Sequence, residues 1–180
     1  MFQVAKRVSF NDRPTLRQIA EHHAVVEDAI SLYYSQANPS FRQLFAFDTP
    51  DEISASRKVR LQEAGAASAL ILLAAIEASF RVDYRQRNKL RKKDGLSRAF
   101  CALNQKKKAR VSLSDEILQA WLDHSDVAPA LVSDIRAAVK YRHWLAHGRY
   151  WLPKLGRQYD FKTIYDLSRR IETVFPFLRS

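Results

Sequence analysis

Three side chains able to handle a phosphate or a proton lie close together late in this chain of 180 residues. Arg142, His143 and His147 fall in the last turn and a half of a stretch with helical periodicity, and Gly148 follows. An arginine binds oxyanions through a planar fork of donors, whereas a histidine exchanges a proton near neutral pH. Glycine commonly ends a helix because it adopts the left-handed backbone conformation at little cost. The stretch therefore predicts acid–base chemistry on a phosphate at a helix end.

Arg142 is unusual because its position predicts burial. Four apolar residues at helical spacing form the inner stripe of its helix: Leu131, Ile135, Ala138 and Leu145. Arg142 falls on this stripe and keeps its charge, so it needs a carboxylate or phosphate partner, or a water-filled cleft. His147 lies about 140° further round the helix. The two side chains therefore converge only beside a cleft or across an interface with another chain.

The run from Arg142 to His147 resembles the R-x(4 to 6)-H motif of the HEPN superfamily (higher eukaryotes and prokaryotes nucleotide-binding domains). Four residues, His-Trp-Leu-Ala, separate the arginine from the histidine. The resemblance implies an all-α bundle that cleaves RNA without a metal ion. It also implies a two-fold homodimer in which Arg142 and His147 of both protomers line one cleft, and a role as a toxin of a toxin–antitoxin or antiviral defence system. Some toxins of that family carry a tyrosine two residues after the histidine; here Arg149 stands there and Tyr150 follows.

RNA cleavage of this kind is a transesterification in which the ribose 2′-hydroxyl attacks the adjacent phosphorus and the 5′-oxygen leaves. His147 is expected to take or give the proton, and Arg142 to hold the phosphoryl oxygens as charge builds on them. Two copies across a two-fold axis would supply one base and one acid. His143 is expected to orient His147 or contact RNA, or to be a partly exposed helix residue without such a role.

Two other functions use the same residues. One is a non-catalytic RNA-binding or partner-binding module that keeps the bundle and has lost turnover. The other is a zinc site, because His143 and His147 have the i, i+4 spacing of zinc-binding helices. Trp144 stands where a metalloprotease has glutamate, and the sequence offers no evident third ligand. We therefore expect no metal ion and no other cofactor.

The composition predicts one all-α domain over residues 1–180, a bundle of about five to six helices. Only four glycines and six prolines interrupt a sequence rich in alanine, leucine, arginine and lysine. The single cysteine, Cys101, excludes an internal disulfide and favours a reducing cytoplasm. The apolar run 64–76 is shorter than the roughly 20 residues that cross a bilayer. It predicts a core helix, and we expect no membrane association.

The net charge of +11 is concentrated in one segment. From Arg81 to Arg110, twelve lysines and arginines stand against two acids, Asp83 and Asp94, which leaves +10. Such a block is typical of a polyanion-binding surface, although a solvated or disordered lysine-rich face and an acidic partner such as an antitoxin are alternatives. The residues predicted to contact RNA are Arg85, Arg87, Lys89, Arg91, Lys92, Lys93, Lys106, Lys107, Lys108, Arg110 and, beside the motif, Arg149.

Glu77 is the acidic residue expected to support the motif. It lies on an otherwise apolar stripe of the long helix upstream, where a buried carboxylate needs a cation. Arg81, one turn further on, and Arg142, on the motif helix, are both candidate partners. The HEPN resemblance favours Arg142, because acidic or polar residues of an earlier helix often face the motif in that family.

Overall fold

A computed structural model describes residues 14–149, 156 and 158–178 of the chain. Within these ranges it forms seven α-helices and no β-strand, which confirms the all-α class and exceeds the predicted five to six helices. A 3₁₀ turn (Lys108–Arg110) and a π-helical turn (Leu113–Ile117) connect the fourth helix to the fifth. The helices are α1 (Leu16–Tyr33), α2 (Phe41–Leu44), α3 (Pro50–Leu90), α4 (Gly95–Lys107), α5 (Leu118–His124), α6 (Pro129–Ala146) and α7 (Phe161–Val174).

The 41-residue helix α3 is the common support of the bundle, and α1, α4, α6 and α7 all pack against it. Its start is fixed by a capping box: the Thr49 hydroxyl accepts from the Glu52 N–H, and the Glu52 carboxylate accepts from the Thr49 N–H. Gly65 does not interrupt it. The helix ends at Leu90, and the C-cap residue Arg91 has a left-handed backbone with φ 47°.

The hydrophobic core surrounds the C-terminal half of α3. Phe80 contacts Phe175 and Phe177 edge-on, with ring centroids 4.9 Å apart in both pairs, and Trp121 packs against Phe175 at 5.1 Å. The N-terminal half of α3 pairs mainly with α1 and lies outside this core. The bundle is therefore built around residues 68–87 of the long helix.

The middle of α3 is not enclosed on all sides, contrary to what its apolar sequence predicts. Ala69, Leu72 and Ile76 are buried, whereas Ala67, Ile71 and Ala74 are exposed, and no described helix covers them. By length and composition alone α3 is also apolar enough to cross a membrane, a test that core helices of soluble proteins pass as well. An open apolar face thus runs along the centre of α3.

A buried ion pair ties the C-terminal segment to α3. The fully buried Asp83 carboxylate accepts from Arg87 Nε at 2.9 and 3.0 Å and from the Leu178 N–H at 2.8 Å. Arg87 also donates to the Pro176 carbonyl at 3.2 Å and lies 5.2 Å from the centre of the Trp121 ring. Burial raises the pKa of Asp83 in spite of these partners. The prediction that Arg87 contacts RNA is wrong, because its guanidinium is sealed inside this network.

Removing one member of the pair should destabilise the fold strongly. Asp83→Leu or Arg87→Met alone should lower the free energy of unfolding by about 3–5 kcal/mol, since each leaves an uncompensated buried charge. The double variant should lose less than the sum of the two. Equilibrium urea unfolding measures this, and Arg85→Ala, exposed on the same helix, should change stability by less than about 0.5 kcal/mol. An Arg87→Met variant as stable as Arg85→Ala would contradict the interpretation.

Candidate functional site

Helix α6 carries the motif as the sequence predicts. Pro129 occupies its first turn, and all four residues of the predicted inner stripe are buried: Leu131, Ile135, Ala138 and Leu145. The last helical residue is Ala146, and His147 forms the C-cap, its N–H donating to the His143 carbonyl at 3.1 Å. Gly148 follows with φ 79°. The motif therefore occupies the final turn of α6 and its cap.

Arg142 lies at the edge of the core beside α3. Its Nη1 is 3.3 Å from Oε2 of Glu77, and 35% of its side chain is exposed. The Nε atom is buried and has no hydrogen-bond partner among the described residues. The guanidinium is therefore held by a carboxylate on one side and reaches solvent on another. This is the arrangement required of an arginine that receives a second oxyanion.

Glu77 bridges two guanidinium groups. Its Oε1 accepts from Arg81 Nε at 2.9 Å while its Oε2 faces Arg142, so both of the partners left open by the sequence are present. Arg81 extends the chain of contacts by donating from Nη1 to the Val111 carbonyl at 3.3 Å. One carboxylate between two permanent cations leaves a local excess of one positive charge.

The two histidines of the motif contact each other at the exposed end of α6. The ring centroids of His143 and His147 are 4.1 Å apart, and both residues are exposed. The ring contact is consistent with the predicted role of His143 in orienting His147. The exposure of His143 is equally consistent with the alternative, a helix residue without such a role. The described residues contain no group of three or more His, Cys, Asp or Glu side chains that could hold a metal ion. Arg142 and His147 thus contact different neighbours: α3 for the arginine, His143 for the histidine.

The structure divides the basic segment into two exposed groups. Helix α4 runs antiparallel to α3, since Arg87 meets Ser97, Tyr84 meets Asn104 and Arg81 meets Val111. Exposed cations at the end of α3 form the first group: Arg85, Lys89, Arg91, Lys92 and Lys93. The second group lies at the end of α4 and just after it, beside Arg81 of α3. It comprises Lys106, Lys107, Lys108 and Arg110. Four of the twelve cations of the basic segment are thereby brought to the level of Arg81, which binds Glu77.

Two of the predicted RNA contacts are partly neutralised by nearby acids. Lys107 forms an ion pair with Glu116, and its hydrogen bond lowers the pKa of that carboxyl group. Arg149 Nη1 lies 2.7 Å from Glu63 Oε1, and its guanidinium stands 5.8 Å from the Trp144 ring centre. Tyr150 and Trp151, which the sequence suggested as base-stacking residues or as packing partners of the C-terminal helix, lie outside the described residues.

A groove of about 1220 Å³ beside the motif helix was not predicted from the sequence. Its lining includes Tyr141, which stacks on Trp144 and on Tyr159 with centroids 5.8 and 4.9 Å apart, and Phe161, whose ring lies 3.6 Å from that of His23. These residues come from α1, α6, α7 and the segment before α7. No local sequence pattern links them, because only the packing of the helices brings them together.

Comparison with family models, curated proteins and solved structures found no match to this chain. The HEPN resemblance therefore stays a prediction. It depends on the spacing of Arg142 and His147, on their position at the end of a late helix, and on the carboxylate of Glu77.

Glu77 should contribute more to stability than either arginine that it binds. Glu77→Ala should lower the free energy of unfolding by about 1–3 kcal/mol, because it leaves two guanidinium groups, one with a buried Nε, without their carboxylate. Arg142→Ala should cost less, since Arg81 still pairs with Glu77. Urea unfolding measures both, with Glu63→Ala as the exposed ion-pair control on the same helix. The bridging role is refuted if Glu77→Ala is no less stable than Glu63→Ala.

Proposed function

We propose that this chain is a metal-independent endoribonuclease of the HEPN type, a toxin or defence-system effector that acts as a two-fold homodimer in the cytoplasm. The observation that carries the proposal is the half-buried Arg142 guanidinium, held by Glu77 at the end of the same helix that exposes His147. A permanent cation and a proton-transferring group within one helical turn and a half are the two elements that phosphodiester transesterification needs. A regulatory protein such as an antitoxin is the proposed restraint on this activity.

The proposed reaction divides two proton transfers between two copies of the motif. One His147 imidazole takes the proton of the ribose 2′-hydroxyl as its oxygen bonds to phosphorus. The bond from phosphorus to the 5′-oxygen breaks, and the second His147 protonates that oxygen. The products are a 2′,3′-cyclic phosphate and a 5′-hydroxyl. Arg142 binds the non-bridging oxygens as charge builds on them, and Glu77 positions Arg142 without touching the substrate.

The open apolar face of α3 supports the homodimer. Ala67, Ile71 and Ala74 are exposed on the helix that also carries Glu77, so a second copy docked on this face would lie beside Arg142. Small side chains allow close helix approach, and contiguous exposed apolar surface marks interaction sites. A two-fold arrangement would place the two motifs on the same interface.

The nuclease proposal is tested by incubating the purified chain with single-stranded RNA in EDTA. Cleavage should persist in the chelator, and His147→Ala and Arg142→Ala should each lower the rate at least about 100-fold, the usual contribution of a general acid–base group or a charge-stabilising donor. His22→Ala, an exposed histidine on α1, is the matched control and should retain full activity. RNA binding without cleavage would assign the chain instead to a non-catalytic binding module.

The dimer proposal is tested by placing a charge on the open face of α3. Ile71→Glu should shift the chain to monomer in sedimentation velocity and lower RNA cleavage at least tenfold, because a carboxylate would be buried at the interface. Val59→Glu, at a residue of similar exposure on the same helix, is the control and should stay dimeric and active. Unchanged mass and unchanged activity in Ile71→Glu would exclude this face as the interface.

A further inference from the structure

A second basic site lies at the end of α3, away from the motif. A groove of about 380 Å³ opens there between the end of α3 and α4. Three cations and three side-chain amides contribute to its lining: Arg91, Lys92, Arg98, Asn88, Asn104 and Gln105. Arg98 was not among the predicted RNA contacts, and the antiparallel packing of α4 on α3 places it with Arg91 and Lys92. The groove is therefore a product of the tertiary fold.

The cations of this groove are left without acidic partners among the described residues. The acids of the neighbouring elements are engaged elsewhere: Asp83 and Asp94 bind Arg87, and Glu116 binds Lys107. Among the described residues, the ion pairs of Asp83 and Asp94 are with Arg87 and not with Arg91, Lys92 or Arg98. Exposed unpaired cations side by side repel one another, and a bound polyanion relieves that repulsion.

The lining chemistry favours the sugar–phosphate backbone over the bases. Guanidinium, ammonium and amide groups bind phosphate oxygens and ribose hydroxyls. Proteins that bind single strands also have aromatic side chains on which the bases stack. The described lining of this groove contains no aromatic side chain. Double-stranded RNA, by contrast, is recognised mostly through phosphates and 2′-hydroxyls. The groove therefore suits a duplex.

Helix α4 connects this groove to a second group of cations on the side of the motif, with uncharged residues 99–105 between them. Its 13 residues span about 20 Å at 1.5 Å per residue; Lys106 lies in its last turn, and Lys108 and Arg110 lie in the 3₁₀ turn that follows. That end lies beside Val111, which accepts a hydrogen bond from Arg81, the neighbour of Glu77. A duplex carries about one phosphate charge per 1.7 Å of axis when both strands are counted, so about twelve charges lie within this length and part of them face the protein.

We propose that the groove and the exposed side of α4 form an anchoring site for double-stranded RNA, distinct from the Arg142–His147 site. The anchor binds a duplex segment of a folded RNA and raises the concentration of its unpaired portion at the motif. The proposal rests on the proposed function only for the choice of RNA as substrate; binding at the anchor requires no cleavage.

The test is duplex binding by a variant that lacks the three groove cations. Arg91→Asn, Lys92→Ala and Arg98→Ala are combined in an Arg142→Ala background, so that cleavage does not interfere. Asparagine suits position 91 because it tolerates a positive φ. Fluorescence anisotropy with an RNA duplex of about 20 base pairs should show at least tenfold weaker binding. The magnitude of the negative slope of log affinity against log salt concentration should decrease by about three, close to one for each lost phosphate contact.

The matched control removes the same charge from other faces of the chain. Lys58→Ala, Arg60→Ala and Arg169→Ala, all at exposed positions, should weaken duplex binding less than about threefold in the same background. Equal losses in the two triple variants would overturn the anchoring site. Equally tight binding of a 20-nucleotide single strand would overturn the duplex assignment. Competition by polyglutamate as effective as that by the duplex would reassign the surface to an acidic protein.

The anchor and the nuclease fail in different experiments. If the chain with an intact motif cuts no RNA but the groove variant loses duplex affinity, the anchor stands and the nuclease proposal falls. If cleavage is observed, the same three groove substitutions, made in the chain with an intact motif, should raise KM for a hairpin RNA at least tenfold. An unchanged KM for the hairpin would overturn the anchor alone.

Discussion

The Glu77 carboxylate lies between two guanidinium groups, and this contact fixes the motif helix against the central helix of the bundle. Arg142 would otherwise be a charge at the edge of an apolar interface, which only a paired or solvated group tolerates. By pairing with Glu77 it keeps its place beside α3 while part of its side chain stays exposed. The ion pair with Glu77 thus stabilises the Arg142 charge in the fold and also holds its guanidinium where a ligand can reach it.

A second carboxylate on α3, that of Asp83, also pairs with an arginine, at the other end of the core. Asp83 is fully buried and binds both Arg87 and the backbone of the C-terminal segment. Such a pair contributes little net stability, because desolvation offsets most of the attraction, yet losing one partner is costly. Its main effect is on position: it closes the C-terminal segment over Phe80 and Trp121.

The distribution of charge follows from these two pairs. Glu77 and Asp83 on α3 both bind arginines, whereas most cations of residues 81–110 stay exposed. The excess of positive charge is displayed at the two ends of α4, one beside the end of α3 and the other at the level of Arg81. No described helix covers the apolar face of α3 around Ile71. The directions of the side chains on α3 thus determine the positions of the exposed cations, the apolar face and the motif.

The sequence by itself determined the features that depend on local periodicity and capping. The all-α class, the inner stripe of α6 and the end of that helix just before Gly148 all follow from residues within a few turns of one another. The single-turn helix α2 and the π-helical turn were not predicted, because one turn of helix leaves almost no periodicity to detect.

Only the tertiary structure decided which charges are buried and which faces are open. The sequence could not show that Glu77 binds both arginines, that Arg87 is sealed while Arg98 joins the exposed groove, or that Ile71 is uncovered. The physical reason is the same in each case. A charged side chain on a helix is buried only where a neighbouring helix supplies a partner for the charge. Which helix becomes that neighbour depends on packing between residues far apart in the chain.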